Sequence, residues 1–330
     1  MGGSTAAVAA IESTRARIAE RVVGRERELD LLLAAVSARR DILLEGPPGT
    51  SKSTLLRAIA AEWDIPLMLV EGNADLTPAK LLGYHSPSRV LREDYSAETF
   101  VDGPLLAAMR RGGFLYIEEF NRAPEDTLNT LLTAMAEREV TVPRVGLVKA
   151  LASFRVIASM NPFDNVGTTR LSASVHDRMC RLAVGYQDEA AEREIVRRVA
   201  TPDGPPFATE FVAQLRTDAV ALTRATRAHP AIRHGSSVRG AIDLALVTGE
   251  LIAMRGITGT GGEGRAGAEP GYDADAPLRH RYATTVYDAM VVSLSGRIHP
   301  DETAESTPEQ LLREIWADYY LLDRAVAGPG

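Results

Sequence analysis

The sequence predicts a parallel five-stranded α/β sheet with helices on both faces, followed by a small all-α domain. Three observations carry that prediction: five short apolar, β-rich runs, helix-period segments between most of them, and a change to helices alone after about Tyr186. Each crossover in such a chain lays a helix on one face of the sheet, so the strands run parallel and are buried on both sides. Ligands of these sheets bind beyond the carboxyl ends of the strands.

Composition bounds the function first. The 330 residues correspond to about two domains of ~150 residues. A hydrophobic share of 45% and a charged share of 25% exclude a disordered, collagenous or disulfide-stapled chain. The single cysteine, Cys180, permits no internal disulfide and fits a reducing compartment. It lies where an apolar strand begins, which reads as a small core residue. No apolar run approaches the ~20 residues that cross a bilayer, and residues 1–10 lack the basic start and long apolar core of a secretory signal. The chain therefore reads as cytoplasmic, with 1–20 as an N-terminal extension frayed over its first residues. The net charge is −7, from 37 basic and 44 acidic residues. That balance disfavours a duplex-DNA binder, which needs a basic excess to displace phosphate counterions. The arginine and alanine bias reads as codon composition, and only Lys52, Lys80 and Lys149 are lysine.

The first predicted strand, 41–45, runs directly into Gly46-Pro47-Pro48-Gly49-Thr50-Ser51-Lys52-Ser53 and then a helix over 53–62. Strand, glycine-rich loop and helix in that order make a phosphate-binding loop. Its amides and the helix N-terminus face the anion, Lys52 supplies a point charge, and Ser53 places a hydroxyl at a nucleotide-bound Mg²⁺. Ser51 stands where the motif has its last glycine, a departure that costs little if this residue has helical dihedrals. A strand at 66–71 follows, then a helix at 105–111 and a strand at 114–118 that ends in Glu118-Glu119. Two acids at a strand end are ordinarily a solvated terminus. Downstream of a phosphate loop they become a metal-side carboxylate, Glu118, and a general base for water, Glu119. The usual first acid there is aspartate, so Glu118 is a second departure. After a helix over 125–138, the strand 154–160 ends at Asn161-Pro162, where an asparagine can hydrogen-bond both a terminal phosphate and the attacking water. A helix or turn over 171–179 carries Arg178 just before the last strand, 181–184. An arginine there can stabilise phosphoryl-transfer charge in a neighbouring subunit.

Taken together, the phosphate loop, the stretch Ile117-Glu118-Glu119-Phe120-Asn121-Arg122-Ala123-Pro124, residues 131–142 and Met160-Asn161-Pro162 resemble the MoxR family of AAA+ ATPases, of the helix-2-insert clade. Val22-Val23-Gly24-Arg25 is similar to the segment that lines adenine in that superfamily. Residues 80–103 resemble the clade's helix-2 insertion, 139–150 its pre-sensor hairpin, and Arg239 in Gly235-Ser236-Ser237-Val238-Arg239 its sensor 2. The resemblance implies a P-loop AAA+ domain over 21–186 and a lid domain over 187–330. It implies ATP contacts from Val23, Gly24, Gly46, Pro47, Pro48, Gly49, Thr50, Ser51, Lys52, Ser53, Thr54 and Arg239, and Mg²⁺ on Ser53 and Glu118. Glu119 would be the base, Asn161 sensor 1 and Arg178 the finger reaching a neighbouring site. Family members form hexameric rings and act as chaperone-like remodelling ATPases, often with a von Willebrand factor A domain partner, several of them maturing metal-dependent enzymes.

The second half reads as helices over 189–200, 207–227, 237–255, 281–295 and 308–326, with no strand of comparable quality. Residues 256–271 hold seven glycines and read as a mobile loop. Leu311, Leu312, Ile315 and Trp316 mark the apolar side of the last helix. The six histidines have no paired spacing of the kind that holds zinc. With that resemblance, protein remodelling driven by Mg²⁺-dependent ATP hydrolysis is the leading expectation. A nucleic-acid motor and an ATP-gated scaffold with little turnover stay open.

Overall fold

The computed structural model describes residues 2–93, 96–162, 171–200, 209–257, 277–302 and 305–322. It divides into two compact units, Met1–Gly185 and Tyr186–Gly330. Most of the glycine-rich stretch, from 258 on, and residues 323–326 of the last predicted helix lie outside the described residues.

The first unit opens with α1 (Gly2–Arg21), helical where the sequence suggests a frayed start, then α2 (Glu26–Ser37) and β1 (Asp41–Glu45). Next come α3 (Lys52–Glu62), β2 (Leu67–Glu71), α4 (Pro78–Leu82), β3 (Gly83–His85), α5 (Pro87–Glu93) and β4 (Phe100–Asp102). The remainder is α6 (Pro104–Arg111), β5 (Phe114–Glu118), α7 (Glu125–Glu137), β6 (Glu139–Val142), β7 (Gly146–Lys149), β8 (Arg155–Met160), α8 (Ala173–Arg178) and β9 (Met179–Ala183). Five strands form one sheet in the order β2-β5-β8-β1-β9, every pair parallel. In this order β8 is inserted between β1 and β5, as expected for a doubly covered parallel sheet.

Side-chain alternation along the strands builds two cores. Ile42, Leu44, Phe114, Tyr116 and Ile157 face α1, α2 and α3, packing on Ile18, Leu29, Leu32, Leu55 and Ile59. Leu43, Leu115, Ile117, Val156 and Ala158 face the other way, onto Leu105, Met109, Leu128 and Leu131. Burial of each such aliphatic side chain contributes about 1.5–3 kcal/mol, so the strands are fixed face by face. The two short antiparallel ladders β3–β4 and β6–β7 stand apart from the main sheet.

β9 is an edge strand. Met179 turns inward and Cys180 is exposed, so the cysteine is not the core residue its neighbours suggest. The strand pattern cannot say which face of an edge stays uncovered.

The second unit comprises α9 (Glu189–Val199), α10 (Thr209–Ala228), β10 (Ile232–His234), α11 (Val238–Met254), α12 (Leu278–Leu294), β11 (His299–Pro300) and α13 (Pro308–Ala317). Helices dominate, and Leu311, Leu312, Ile315 and Trp316 are buried against them. One short antiparallel pairing, β10–β11, was not anticipated. It is too brief to leave an alternating pattern in the sequence.

Candidate functional site

The loop between β1 and α3 is pinned at its start. Gly46 N–H donates to the Met160 carbonyl (3.1 Å) and Val184 N–H to the Glu45 carbonyl (2.7 Å), so both neighbouring strands hold it. A Cβ on Gly46 would collide with the Val184 carbonyl, which restricts this position to glycine. Gly49 and Ser51 both have positive φ, 76° and 65°. Ser51 is therefore left-handed and not helical, contrary to the expectation from its place in the motif, and α3 begins only at Lys52. Such mixed-handed turns line a concavity with successive main-chain N–H groups, and the helix N-terminus adds more. The Lys52 ammonium lies within the loop's curve, donating to the carbonyls of Gly46 (2.7 Å) and Pro47 (2.8 Å).

Behind the loop, Arg25 is only 3% exposed. Its guanidinium donates to the carbonyls of Thr50 (3.0 Å) and Gly185 (2.6 Å) and pairs with Glu28 (2.9 Å). Arg25 thus braces the phosphate loop against the end of the sheet. The sequence places it only in a stretch similar to the segment that lines adenine.

The acids meet the loop at the carboxyl end of β5. Glu118 shares its strand face with Tyr116 and accepts a hydrogen bond from Ser53 Oγ. Tyr116 Oη lies 3.2 Å from Ser53 Oγ and 2.9 Å from Ser159 Oγ. Burial pushes the Tyr116 phenol up, against the opposing hydrogen bonds of Ser159 and Ser53. Glu119 follows in a left-handed conformation (φ 51°), which takes it off the strand alternation, and pairs with Arg122 at 3.3 Å. The chain after β2 passes so close beneath that a Cβ on Gly72 would strike the Glu119 carbonyl. Asn161, at the end of β8, accepts on its main-chain carbonyl from Asn121 Nδ2 (3.4 Å).

Lys52, Ser53, Glu118, Glu119 and Asn161 therefore gather at the carboxyl ends of three adjacent strands, β1, β5 and β8. Thr54 follows on the first turn of α3, and Val23 and Gly24 (φ 64°) lie just before α2. The donors fit Mg²⁺: a hydroxyl and a carboxylate in mutual contact are hard oxygen ligands. Among the described residues no group of three or more His, Cys, Asp or Glu is arranged to hold a metal. Mg²⁺ needs no such cage, because it keeps waters and takes phosphate oxygens beside one or two protein ligands.

Two further predicted residues lie on other elements. Arg178 closes α8, exposed, its guanidinium donating to the Ser174 carbonyl (3.1 Å). Arg239 is exposed on the first turn of α11 in the second unit. The turn before it is tightly built. Arg227 Nε donates to the Ser236 carbonyl (2.5 Å), stacks 4.1 Å from the Tyr186 ring centre and pairs with buried Glu192 (2.7 Å).

In the same unit, an apolar groove of about 630 Å³ lies between the β3–β4 ladder and the β6–β7 hairpin. Tyr84, His85, Phe100, Val142, Pro143 and Arg144 are among the residues that line it.

Residues 41–179 match the AAA domain of the dynein-related subfamily. An uncharacterized protein of Staphylococcus aureus strain USA300 is 31% identical over 173 residues, 52% of this chain and 65% of that protein. One from Staphylococcus haemolyticus is 31% identical over 167 residues, 50% and 63% of the two. The chain thus spans a little under two thirds of the length of these curated relatives. Among solved structures, a Cytophaga hutchinsonii protein assigned as an ATPase aligns over 93% of both chains at 20% identity, with a TM-score of 0.49. The Thermotoga maritima RuvB Holliday junction branch migration motor aligns over 70% of this chain and 64% of its own, at 17% identity and a TM-score of 0.44. The fold rests on the strand order and the matched segment, not on these distant likenesses.

Proposed function

We propose that this chain is a Mg²⁺-dependent AAA+ ATPase of the MoxR kind that uses ATP hydrolysis to remodel, activate or mature a protein client. The observation that carries the proposal is the hydrogen bond from Ser53 to Glu118. It joins the hydroxyl after the loop lysine to the acid of the strand end, the contact a Mg²⁺-nucleotide site requires. Bound Mg²⁺ supplies charge neutralisation between phosphate oxygens.

The chain's own residues do the rest. Lys52 exchanges its carbonyl partners for the outer phosphates, a charge-assisted contact stronger than the one it gives up. Glu119 takes a proton from the attacking water as the water oxygen bonds the γ-phosphorus and the bond to the bridging oxygen breaks. Asn161 orients that water and the phosphate. Arg178, exposed at the end of α8, serves the site of the next subunit in a hexameric ring, and Arg239 reports nucleotide state to the helical unit.

Support for a protein client comes from the β3–β4 and β6–β7 ladders, which carry exposed apolar side chains, Tyr84 at 62% and Leu147 at 53% among them. The acidic net charge weighs against a nucleic-acid track. We place the protein in the cytoplasm, with a von Willebrand factor A domain protein as working partner and a metalloenzyme as a candidate client. No helix among the described residues is long and apolar enough to cross a membrane.

The test is a pull-down from native lysate with tagged Glu119→Gln protein held in ATP, against Lys52→Ala, which is expected to lose ATP binding. Proteins enriched only in the ATP-held sample, especially one with a von Willebrand factor A domain, are the expected result. Enrichment of nucleic acid would favour a motor, and nothing above the control would contradict the client reading.

A further inference from the structure

We propose that Tyr116 is a positioning residue for the metal-bound nucleotide, setting the orientation of the Ser53 hydroxyl and tying it to the strand that carries Asn161. The inference rests on the reading of this site as a Mg²⁺-ATP site.

The direction of the hydrogen-bond chain follows from its end. A carboxylate can only accept, so the one Ser53 proton goes to Glu118. The contact between Tyr116 and Ser53 at 3.2 Å then draws on the phenolic proton, which points to Ser53 Oγ and the Glu118 carboxylate beside it. That leaves Ser159 to donate its proton to the Tyr116 oxygen at 2.9 Å. The order is Ser159 to Tyr116 to Ser53 to Glu118, with one proton per link.

A hydroxyl oxygen has two lone pairs. On Ser53 one is taken by Tyr116, which leaves the other for a metal ion. The Tyr116 ring is fully buried in the core beneath the strand, among Leu44, Leu55, Phe114 and Ile157. Its hydroxyl therefore cannot swing away, and it fixes the rotation of the Ser53 hydroxyl. At the far end Ser159 stands two residues before Asn161. One buried side chain thus links the metal-side hydroxyl with the strand that carries the proposed phosphate sensor. Phenylalanine would fill the same core equally well, so packing alone does not call for the hydroxyl.

The experiment compares full-length wild type with Tyr116→Phe and Ser159→Ala, using Mn²⁺ as the metal and its EPR signal to count bound ions in the presence of ATP. ATP affinity in EDTA is measured alongside. Tyr116→Phe is expected to weaken Mn²⁺ binding to the ATP complex roughly fivefold, as loss of one hydrogen bond predicts. The Mg²⁺ concentration for half-maximal phosphate release should rise by the same factor, with ATP affinity in EDTA unchanged. Ser159→Ala should give a smaller shift in the same direction, and it carries the test if Tyr116→Phe does not fold. A role in packing alone would lower the melting temperature and leave metal dependence where it is, and that result overturns the proposal. Wild type that binds ATP with a metal affinity equal to both variants overturns the positioning role only. Wild type that binds no ATP under any condition overturns the reading of the site itself, and this inference with it.

Discussion

Ser51 holds a left-handed backbone (φ 65°) at the start of the lysine helix. For a residue with a Cβ that conformation costs about 1–2 kcal/mol relative to helical dihedrals. Glycine would remove the strain and lose part of the gain to its freer unfolded chain. Ser51→Gly should therefore raise stability by about 0.5–1 kcal/mol while keeping ATP binding, as read by urea unfolding and nucleotide titration. Lower stability would mean the serine side chain contributes more than its backbone costs. Residues with a fixed place in a motif can be located from the sequence: Lys52 and Ser53 open α3 directly after the loop, and Glu118 and Glu119 stand at and just beyond the end of β5, where the spacing puts them. Tyr116 cannot be, because an aromatic side chain in an apolar strand reads as core, although its position two residues before Glu118 places both on one face. Arg25 is hidden for another reason. Its partners are main-chain carbonyls at Thr50 and Gly185, and carbonyls leave no trace in residue type.

At the scale of elements, the helical unit is organised by a polar knot. Asp218 on α10 is fully buried and accepts from the hydroxyls of Tyr282 (3.0 Å), Tyr319 (2.7 Å) and Tyr320 (2.7 Å). Gln214 adds a fourth donor. Burial drives the Tyr282 and Tyr320 hydroxyls well above their ordinary range, with the neighbouring Asp218 charge adding to it for Tyr282, so these groups stay protonated as donors. The knot fastens α12 and the turn after α13 to α10. Asp218→Ala strands two buried hydroxyls, Tyr282 and Tyr320, and the half-buried one of Tyr319, and should cost about 3 kcal/mol. In a Trp63→Phe background the remaining tryptophan, buried Trp316, reports unfolding of this unit by fluorescence. An unchanged transition would contradict the account. The helices themselves are legible from their 3.6-residue period. The knot is not, since its members are scattered over a hundred residues and meet only after the helices pack.

For the whole molecule, the legible part is the count and direction of the main strands, because apolar runs alternating with helices leave few other layouts. Their lateral order is less so. β8 lies between β1 and β5 with all six residues buried, one face apolar throughout (Val156, Ala158, Met160) and the other carrying Arg155 and Ser159 beside Ile157, whereas β2 is only partly buried and β9 leaves Cys180 exposed, as suits edges. That order brings the ends of β1, β5 and β8 side by side and so assembles Lys52, Ser53, Glu118, Glu119 and Asn161. Arg178 stands outside that cluster, exposed at the end of α8, and its proposed role in a neighbouring subunit's site rests on its position in the family pattern. Arg178→Ala should lose turnover, and mixing it with Glu119→Gln protein should partly restore it. The most direct test of the central claim is phosphate release at saturating Mg²⁺-ATP by wild type and by Glu119→Gln. Clear turnover in wild type and a loss of about 10²–10⁴-fold in the variant, with ATP still bound, is the expected result. Equal rates in the two proteins would contradict Glu119 as the base, and no turnover in wild type would contradict the ATPase itself.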